Sequence, residues 1–149
     1  MGYTHYFHGL TATPEVVAEA TKIIEASGVT ICGPRGEGLP LLSETHGIKL
    51  NGFAAAGEAY ETFSLPGANA AGRGNHAWFC KTENKPYDLV VTAILTAAAL
   101  RHPGILHSDG HWESWTAGLA LYQAAVRPLS LDQKIALELD IEAMRPEHR

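Results

Sequence analysis

The chain has 149 residues, of which 46% are hydrophobic and 18% charged, and its formal net charge is −5 at pH 7. This length and composition are typical of one globular domain with a hydrophobic core, and they argue against intrinsic disorder. The acidic balance, without a basic stripe, argues against nucleic-acid binding by phosphate neutralisation. No apolar run is long enough to span a bilayer.

The two cysteines, Cys32 and Cys80, allow at most one disulfide bond. Because the polar, aromatic N-terminus lacks a signal-peptide pattern, we expect reduced thiols in a cytoplasmic protein. Nothing in the sequence identifies a cofactor. The oligomeric state stays open, a homo-oligomer included.

The first half of the chain predicts a strand, a helix and a β-rich centre. Residues Tyr3–Phe7 are aromatic and predict the first strand. Thr13 and Pro14 predict a helix start as N-cap and first helical residue, and Gly28 predicts the helix end. Three more strands are predicted at Val29–Cys32, at Ile48–Asn51 with a hairpin signal at Asn51-Gly52, and at Tyr60–Leu65.

The second half predicts alternating strands and helices. A strand at Trp78–Thr82 is followed by a helix from about Pro86 to Arg101, a strand at Ile105–His107 and two further helices. The last helix begins with a capping box at Ser130–Gln133. The inward-facing residues predicted for the last two helices are Trp112, Trp115, Leu119, Tyr122 and Val126, then Ile135, Leu139 and Ile141.

Together these elements predict a single α+β domain over residues 1–149, in which a mixed sheet of about five or six strands packs against four helices. Residues 130–149 form a C-terminal helix that could lie at the periphery. The strand–helix–strand unit from Trp78 to His107 predicts a right-handed parallel crossover. The two helices that follow these strands then begin at one edge of the sheet, where ligands usually bind.

Polar side chains are concentrated at this predicted edge. Lys81 and Lys85 precede a helix and could hold a phosphate or carboxylate, since helix N-termini also attract anions. The residues predicted to bind a ligand are His5, Tyr6, Lys81, Thr82, Lys85, Asp88, Asp109 and Trp112. Within this set, the two acids would accept hydrogen bonds, and Tyr6 or Trp112 would stack on a ring. Helix caps, solvated lysines and core aromatics are the ordinary structural interpretation of the same residues.

A small hydrolase or transferase is the alternative function. His5 would be its general base, and Cys80 or a metal-bound water its attacking group. Asp109 would be the acidic member of a Cys–His–acid arrangement with Cys80 and His5. Cys80 lies next to Lys81 and close to a helix N-terminus, which would lower its pKa, but cysteine in an aromatic strand is more often inert. The histidine spacings match no zinc motif, so no metal site is predicted.

Three fragments of the chain are distinctive together: GYTHY at Gly2–Tyr6, FCKT at Phe79–Thr82 with KPYD at Lys85–Asp88, and SDG at Ser108–Gly110 followed by Trp112. They resemble a group of short, uncharacterised proteins encoded by bacteriophages and some bacteria. The resemblance extends to about Val126 and brings no known activity, so it assigns no catalytic residue. It implies a small soluble accessory protein, located in the host cytoplasm if phage-encoded.

The sequence thus predicts a protein that binds a small anionic metabolite, with nucleotide-like ligands included, at helix N-termini on one sheet edge. Nucleic acid and membrane are not expected as partners. A protein-interaction or virion accessory module, whose polar residues only cap helices, is the third hypothesis.

Overall fold

The computed structural model describes residues 3–67, 77–101, 105–109 and 112–142. Strands and helices alternate along these ranges, and a short 3₁₀ turn lies at Ala54–Ala56. The strands are β1 Thr4–His8, β2 Leu41–Ser43, β3 Gly47–Leu50, β4 Phe63–Leu65, β5 Ala77–Lys81 and β6 Ile105–Ser108. The α-helices are α1 Pro14–Ser27, α2 Asp88–Arg101, α3 Trp112–Ala125 and α4 Leu131–Glu142.

The strands form two three-stranded antiparallel sheets, in the orders β5-β1-β6 and β2-β3-β4. The mixed α+β class is confirmed, but the prediction of one sheet with five or six strands is wrong. Among the described strands, β2, β3 and β4 pair only with one another, as a meander of strands that are three or four residues long. The remaining strands pair around β1.

The first strand, β1, is the central strand of the β5-β1-β6 sheet. It runs antiparallel to both β5 and β6, so these two are parallel to each other and α2 joins parallel strands as predicted. The observed sheet has β1 between these two parallel strands, which the sequence did not predict. Its register places His5 opposite Cys80 on one side and opposite Ser108 on the other. His5 therefore lies between β5 and β6, the two strands that α2 connects.

Helix α2 is the central helix of the core. Its residues from Val90 to Ala98 are all buried, as expected for a helix that is apolar around its circumference. It contacts α1 and α3. Gly118 allows α3 to approach closely, because a Cβ atom there would lie 2.0 Å from Oγ1 of Thr92. The contact between α2 and α3 is thus a close helix–helix approach.

The local helix signals are confirmed. The N–H of Val16 donates to Oγ1 of Thr13 at 3.2 Å, and Gly28 ends α1 with a left-handed φ of 70°. At the start of α4, the N–H of Gln133 donates to Oγ of Ser130 at 3.1 Å, and Oε1 of Gln133 accepts the N–H of Ser130 at 2.9 Å. These are the N-cap, glycine C-cap and capping box that the residue types predicted.

Two predictions about the centre of the chain are wrong. Residues Val29–Cys32 form no strand, only one bridge from Cys32 to Asn51. Asn51 does not lie in a hairpin turn; its Oδ1 accepts the N–H groups of Gly52 and Tyr60 at 2.8 and 3.0 Å. Its amide therefore organises the loop, where the sequence suggested a tight turn.

The inward faces of the last two helices are only partly as predicted. On α3, Trp115, Leu119 and Tyr122 are buried. On α4, however, Ile135 and Leu139 are exposed, and the buried residues are Leu137 and Ile141. The residues of the predicted C-terminal helix beyond Glu142 lie outside the described ranges, as does Gly110 of the SDG fragment. In the described part of the chain, no helix is both long and apolar enough to cross a membrane.

Candidate functional site

A fully buried histidine joins three elements of the fold. The ring of His5, on β1, lies with Nε2 2.5 Å from Oδ1 of Asp88, the first residue of α2. Its Nδ1 lies 2.8 Å from Oγ of Ser108, the last residue of β6. Thr82 adds a third bond, since its hydroxyl donates to the same Oδ1 at 2.7 Å. We call these four side chains the His5 network.

The donors and acceptors of the His5 network follow from the carboxylate. An ionised carboxylate only accepts, so Nε2 of His5 carries a proton and donates it to Asp88. In a neutral imidazole, Nδ1 then accepts from the hydroxyl of Ser108. Both hydrogen bonds to the Asp88 side chain within the described residues end on Oδ1. Its second oxygen, Oδ2, is left for a further donor.

A tight turn places Thr82 against Asp88. Glu83 and Asn84 both have left-handed backbones, with φ of 52° and 58°, and the N–H of Lys85 donates to the carbonyl of Thr82 at 3.0 Å. Left-handed backbone costs roughly 1–2 kcal/mol at residues other than glycine. The turn reverses the chain between β5 and α2, and this reversal brings the threonine hydroxyl to the first residue of the helix.

Two aromatic rings enclose His5. The rings of Tyr3 and Trp115 each meet it edge-on, with centroids 5.2 Å away. Burial, and then the negative charge of Asp88, raise the pKa of the Tyr3 hydroxyl to about 12. Among the described residues, the Trp115 indole nitrogen has no hydrogen-bond partner. Aromatic side chains thus cover the imidazole on two sides.

A cavity of about 290 Å³ opens between the start of α2 and the first half of α3. Its lining residues are Asn84, Lys85, Pro86, Asp88, Leu89, Thr92, Ser114, Ala117 and Gly118. The Asp88 side chain is 9% exposed, so its carboxylate belongs both to the buried network and to the cavity wall. We call this space the α2–α3 cavity.

The structure brings some of the predicted binding residues together. His5, Thr82 and Asp88 are hydrogen-bonded in the His5 network, and Lys85 lines the cavity with Asp88. Ser108, which the sequence placed near the predicted sheet edge but not among the binding residues, is the residue of the network that the predicted binding set omits. Its position directly after the strand predicted at Ile105–His107 was the available signal.

Lys81 and Asp109 lie on the same sheet edge, on either side of Thr4. Lys81 is the register partner of Thr4, while Oδ2 of Asp109 accepts the Thr4 N–H at 3.2 Å. Neither side chain lines the α2–α3 cavity. Nζ of Lys81 lies 3.5 Å from Oε1 of Glu83 and 5.8 Å from the ring centre of Tyr60. The two residues share the predicted edge, but they do not form the cavity wall.

Tyr6 and Trp112 also lie apart from the cavity lining. Tyr6 is on the opposite face of the sheet from His5, and its ring stacks on His107 with centroids 5.2 Å apart. The N–H of Trp112 donates to Oε1 of Glu142 at 2.9 Å. The beginning of α3 does attract an anion, as the helix dipole predicts, but the protein's own carboxylate provides it.

The beginning of α2 is likewise satisfied from within the chain. The N–H groups of Asp88, Leu89 and Val90 donate to the carbonyl oxygens of Lys85, Pro86 and Tyr87, at 2.8, 3.3 and 3.0 Å. These three groups are therefore not available to a ligand. A charged ligand in the cavity would depend on side chains.

Cys80 does not have the surroundings of a nucleophile. Its side chain is fully buried, its Sγ donates to the carbonyl of Glu61 at 3.7 Å, and burial raises the pKa of the thiol to about 12. Although Cys80 is the register partner of His5, the described bonds of the imidazole go to Asp88 and Ser108. The predicted Cys80–His5–Asp109 arrangement is thus not formed.

The raised thiol pKa predicts a loss of stability in alkaline solution. In the unfolded chain Cys80 loses its proton above its ordinary pKa of 9.0, but in the folded chain only near 12. Between these values the unfolded state binds fewer protons, so the free energy of unfolding falls by up to about 1.4 kcal/mol per pH unit for this group. Burial raises the pKa of Tyr87 in the same direction. When the free energy of unfolding is measured with urea at several pH values from 8 to 11, it should fall less steeply with pH for Cys80→Ala than for wild type. An equal dependence on pH would contradict the raised pKa of Cys80.

Comparison with known proteins provides no relative for this chain: no family model, curated protein or solved structure matches it. The resemblance to short bacteriophage and bacterial proteins therefore stays a prediction. Any function has to be argued from the geometry of the site.

Proposed function

We propose that the protein binds a small molecule with an anionic group in the α2–α3 cavity. The observation that carries this proposal is that Lys85 and Asp88 line one cavity without forming an ion pair with each other. At about 290 Å³, the cavity is at the lower end of the sizes typical of ligand sites. This size favours a small metabolite.

Lys85 is the side chain best placed to hold the anion. It is half-buried, and in the described part of the chain no carboxylate lies within ion-pair distance of its ammonium group. Pro86, Leu89 and Ala117 supply apolar surface around it. An ammonium group beside apolar surface attracts an anion more strongly than one surrounded by water.

Asp88 would orient the ligand. Its carboxylate is held by His5 and Thr82, so its position is fixed before a ligand arrives. A fixed acceptor loses little conformational entropy when it binds, and this benefits affinity and specificity. The His5 network thus supports the proposed site from behind.

Replacement of Lys85 by methionine tests the proposal. Wild type should gain thermal stability with at least one member of a panel of inorganic phosphate, small carboxylic acids and nucleoside monophosphates, by about 2.7 kcal/mol at 100 times Kd. Lys85→Met should lose this shift because it keeps the bulk of the side chain but not its charge. The matched control is Lys49→Met, since Lys49 is exposed on β3 and outside the cavity lining.

Two results would contradict the proposal. One is a panel without any ligand that stabilises wild type, and the other is an equal shift in wild type and Lys85→Met. Native mass spectrometry of the purified protein would identify a retained molecule and the number of subunits. Release of that molecule unchanged would favour a binding protein over an enzyme.

A further inference from the structure

We infer that the ligand of the α2–α3 cavity is a zwitterion, with an ammonium group bound by Asp88 and a carboxylate or phosphate bound by Lys85. The chemical class is that of small amino acids and their phosphonate or phosphate analogues. This inference rests on the proposed function and adds the positive end of the ligand.

The carboxylate of Asp88 supplies the first argument. Its side chain is more than nine-tenths buried, and both of its described hydrogen bonds fall on Oδ1, leaving Oδ2 without one. A buried carboxylate is stabilised by charged donors, and an ammonium group forms shorter and stronger hydrogen bonds to it than a neutral donor does. A ligand ammonium group at Oδ2 would complete its coordination.

The charge balance of the cavity supplies the second argument. Among the described residues of its lining, Lys85 is the one cation and Asp88 the one anion. A ligand with only a negative charge would bind more weakly, because it brings that charge into the same small space as the Asp88 carboxylate, where like charges repel. A ligand with only a positive charge would meet Lys85 in the same way. A neutral ligand with separated charges opposes neither.

The remaining wall suits the part of such a ligand between its charges. Pro86, Leu89 and Ala117 offer apolar surface to methylene groups, and Ser114 on α3 offers a hydroxyl. Apolar walls with a few placed polar groups are typical of small-molecule sites. The cavity therefore combines one group for each end of a zwitterion with apolar surface for its chain.

A series of ω-amino acids, from glycine to 6-aminohexanoate, tests the inference by calorimetric titration. Each is compared with the carboxylic acid that lacks the amine and with the amine that lacks the carboxylate. We expect at least one amino acid to bind wild type ten or more times tighter than both of its truncated analogues. The chain length that binds best would report the separation of the two charges.

Two substitutions assign the ends of the ligand. Asp88→Asn keeps an Oδ1 that can accept from His5 and Thr82, but it should abolish the advantage of the amino acid over the carboxylic acid. Lys85→Met should abolish the advantage over the amine. The control for charge removal is Asp132→Asn, an exposed acid in the first turn of α4. If Asp88→Asn folds poorly, the affinities of wild type for the amino acids and for their truncated analogues still test whether the ligand is a zwitterion.

Two outcomes would overturn the inference. If carboxylic acids bind as tightly as the matched amino acids and lose affinity in Lys85→Met, the zwitterion is wrong and the anion site stands. If no member of the series binds wild type, the zwitterion is also wrong. In that case the separate panel of anions decides whether the proposed function stands.

Discussion

Replacing His5 with alanine is expected to lower the free energy of unfolding by about 3–5 kcal/mol, because it leaves the buried carboxylate of Asp88 without its imidazole donor and the volume of the ring empty. The imidazole is fully buried and bonds Asp88 on one side and Ser108 on the other. Without it, the carboxylate keeps only the Thr82 hydroxyl among its described side-chain partners. This loss is a large part of the 5–15 kcal/mol by which domains are usually stable.

A double-mutant cycle separates the unpaired carboxylate from the empty volume. In an Asp88→Asn background no charge is left buried, so His5→Ala should cost less there, with a coupling of about 1–3 kcal/mol. Urea unfolding followed by circular dichroism measures all four proteins. His46→Ala, at an exposed turn between β2 and β3, should change stability by less than about 0.5 kcal/mol. Additive effects of His5→Ala and Asp88→Asn would show that the two side chains are not energetically coupled.

The parts of the fold that the sequence predicted well are those with local causes. Thr13, Pro14 and Gly28 bound α1 because capping depends on residues within one helical turn. The capping box of α4 is equally local. In contrast, β2–β4 pair within themselves, and their strands of three or four residues carry little information about their partners. Pairing between distant segments depends on the whole core, which single-sequence patterns do not report.

The candidate site shows the same division. The strand–helix–strand pattern correctly placed Lys81 and Asp109 on one sheet edge, and His5, Thr82 and Asp88 prove to be one hydrogen-bonded group. The sequence predicted that the beginnings of α2 and α3 would bind an anionic ligand. Instead, backbone carbonyl oxygens and the carboxylate of Glu142 accept hydrogen bonds from the N–H groups there. Glu142 caps α3 from a different helix, a contact 30 residues away in sequence that no local pattern predicts.

The alternation of side chains along β1 would have been the best signal for the network. In the strand THYFH, His5 and Phe7 point to one face, and a histidine beside a core phenylalanine requires polar partners. The sequence does not tell which partners these are. The register with β6 and the turn before α2 decide it, because they bring Ser108 and Asp88 to the two ring nitrogens.

Replacing Arg101 with methionine is expected to lower the free energy of unfolding by about 2–4 kcal/mol, because it leaves the carboxylate of Glu19 buried with a weaker partner. Glu19, on α1, is 7% exposed, and its Oε2 accepts a hydrogen bond from Nη2 of Arg101 at the end of α2. The next cation, Nη1 of Arg127, is 3.6 Å from the same oxygen, and the Tyr122 hydroxyl is 3.4 Å from Oε1. The buried member of the pair is Glu19, so removing Arg101 leaves a charge buried, whereas removing Glu19 would leave only a partly exposed cation.

The matched control is Arg127→Met, which removes the same charge from a side chain that is 51% exposed and should cost less than about 1 kcal/mol. The double substitution Glu19→Met with Arg101→Met should recover most of the loss, since apolar residues can replace a buried ion pair without a stability cost. Urea unfolding of the three variants and wild type measures these differences. Equal losses for Arg101→Met and Arg127→Met would contradict the argument, because the bond between α1 and α2 would then not depend on Arg101. A double variant less stable than Arg101→Met would show that the buried carboxylate is not the source of the loss.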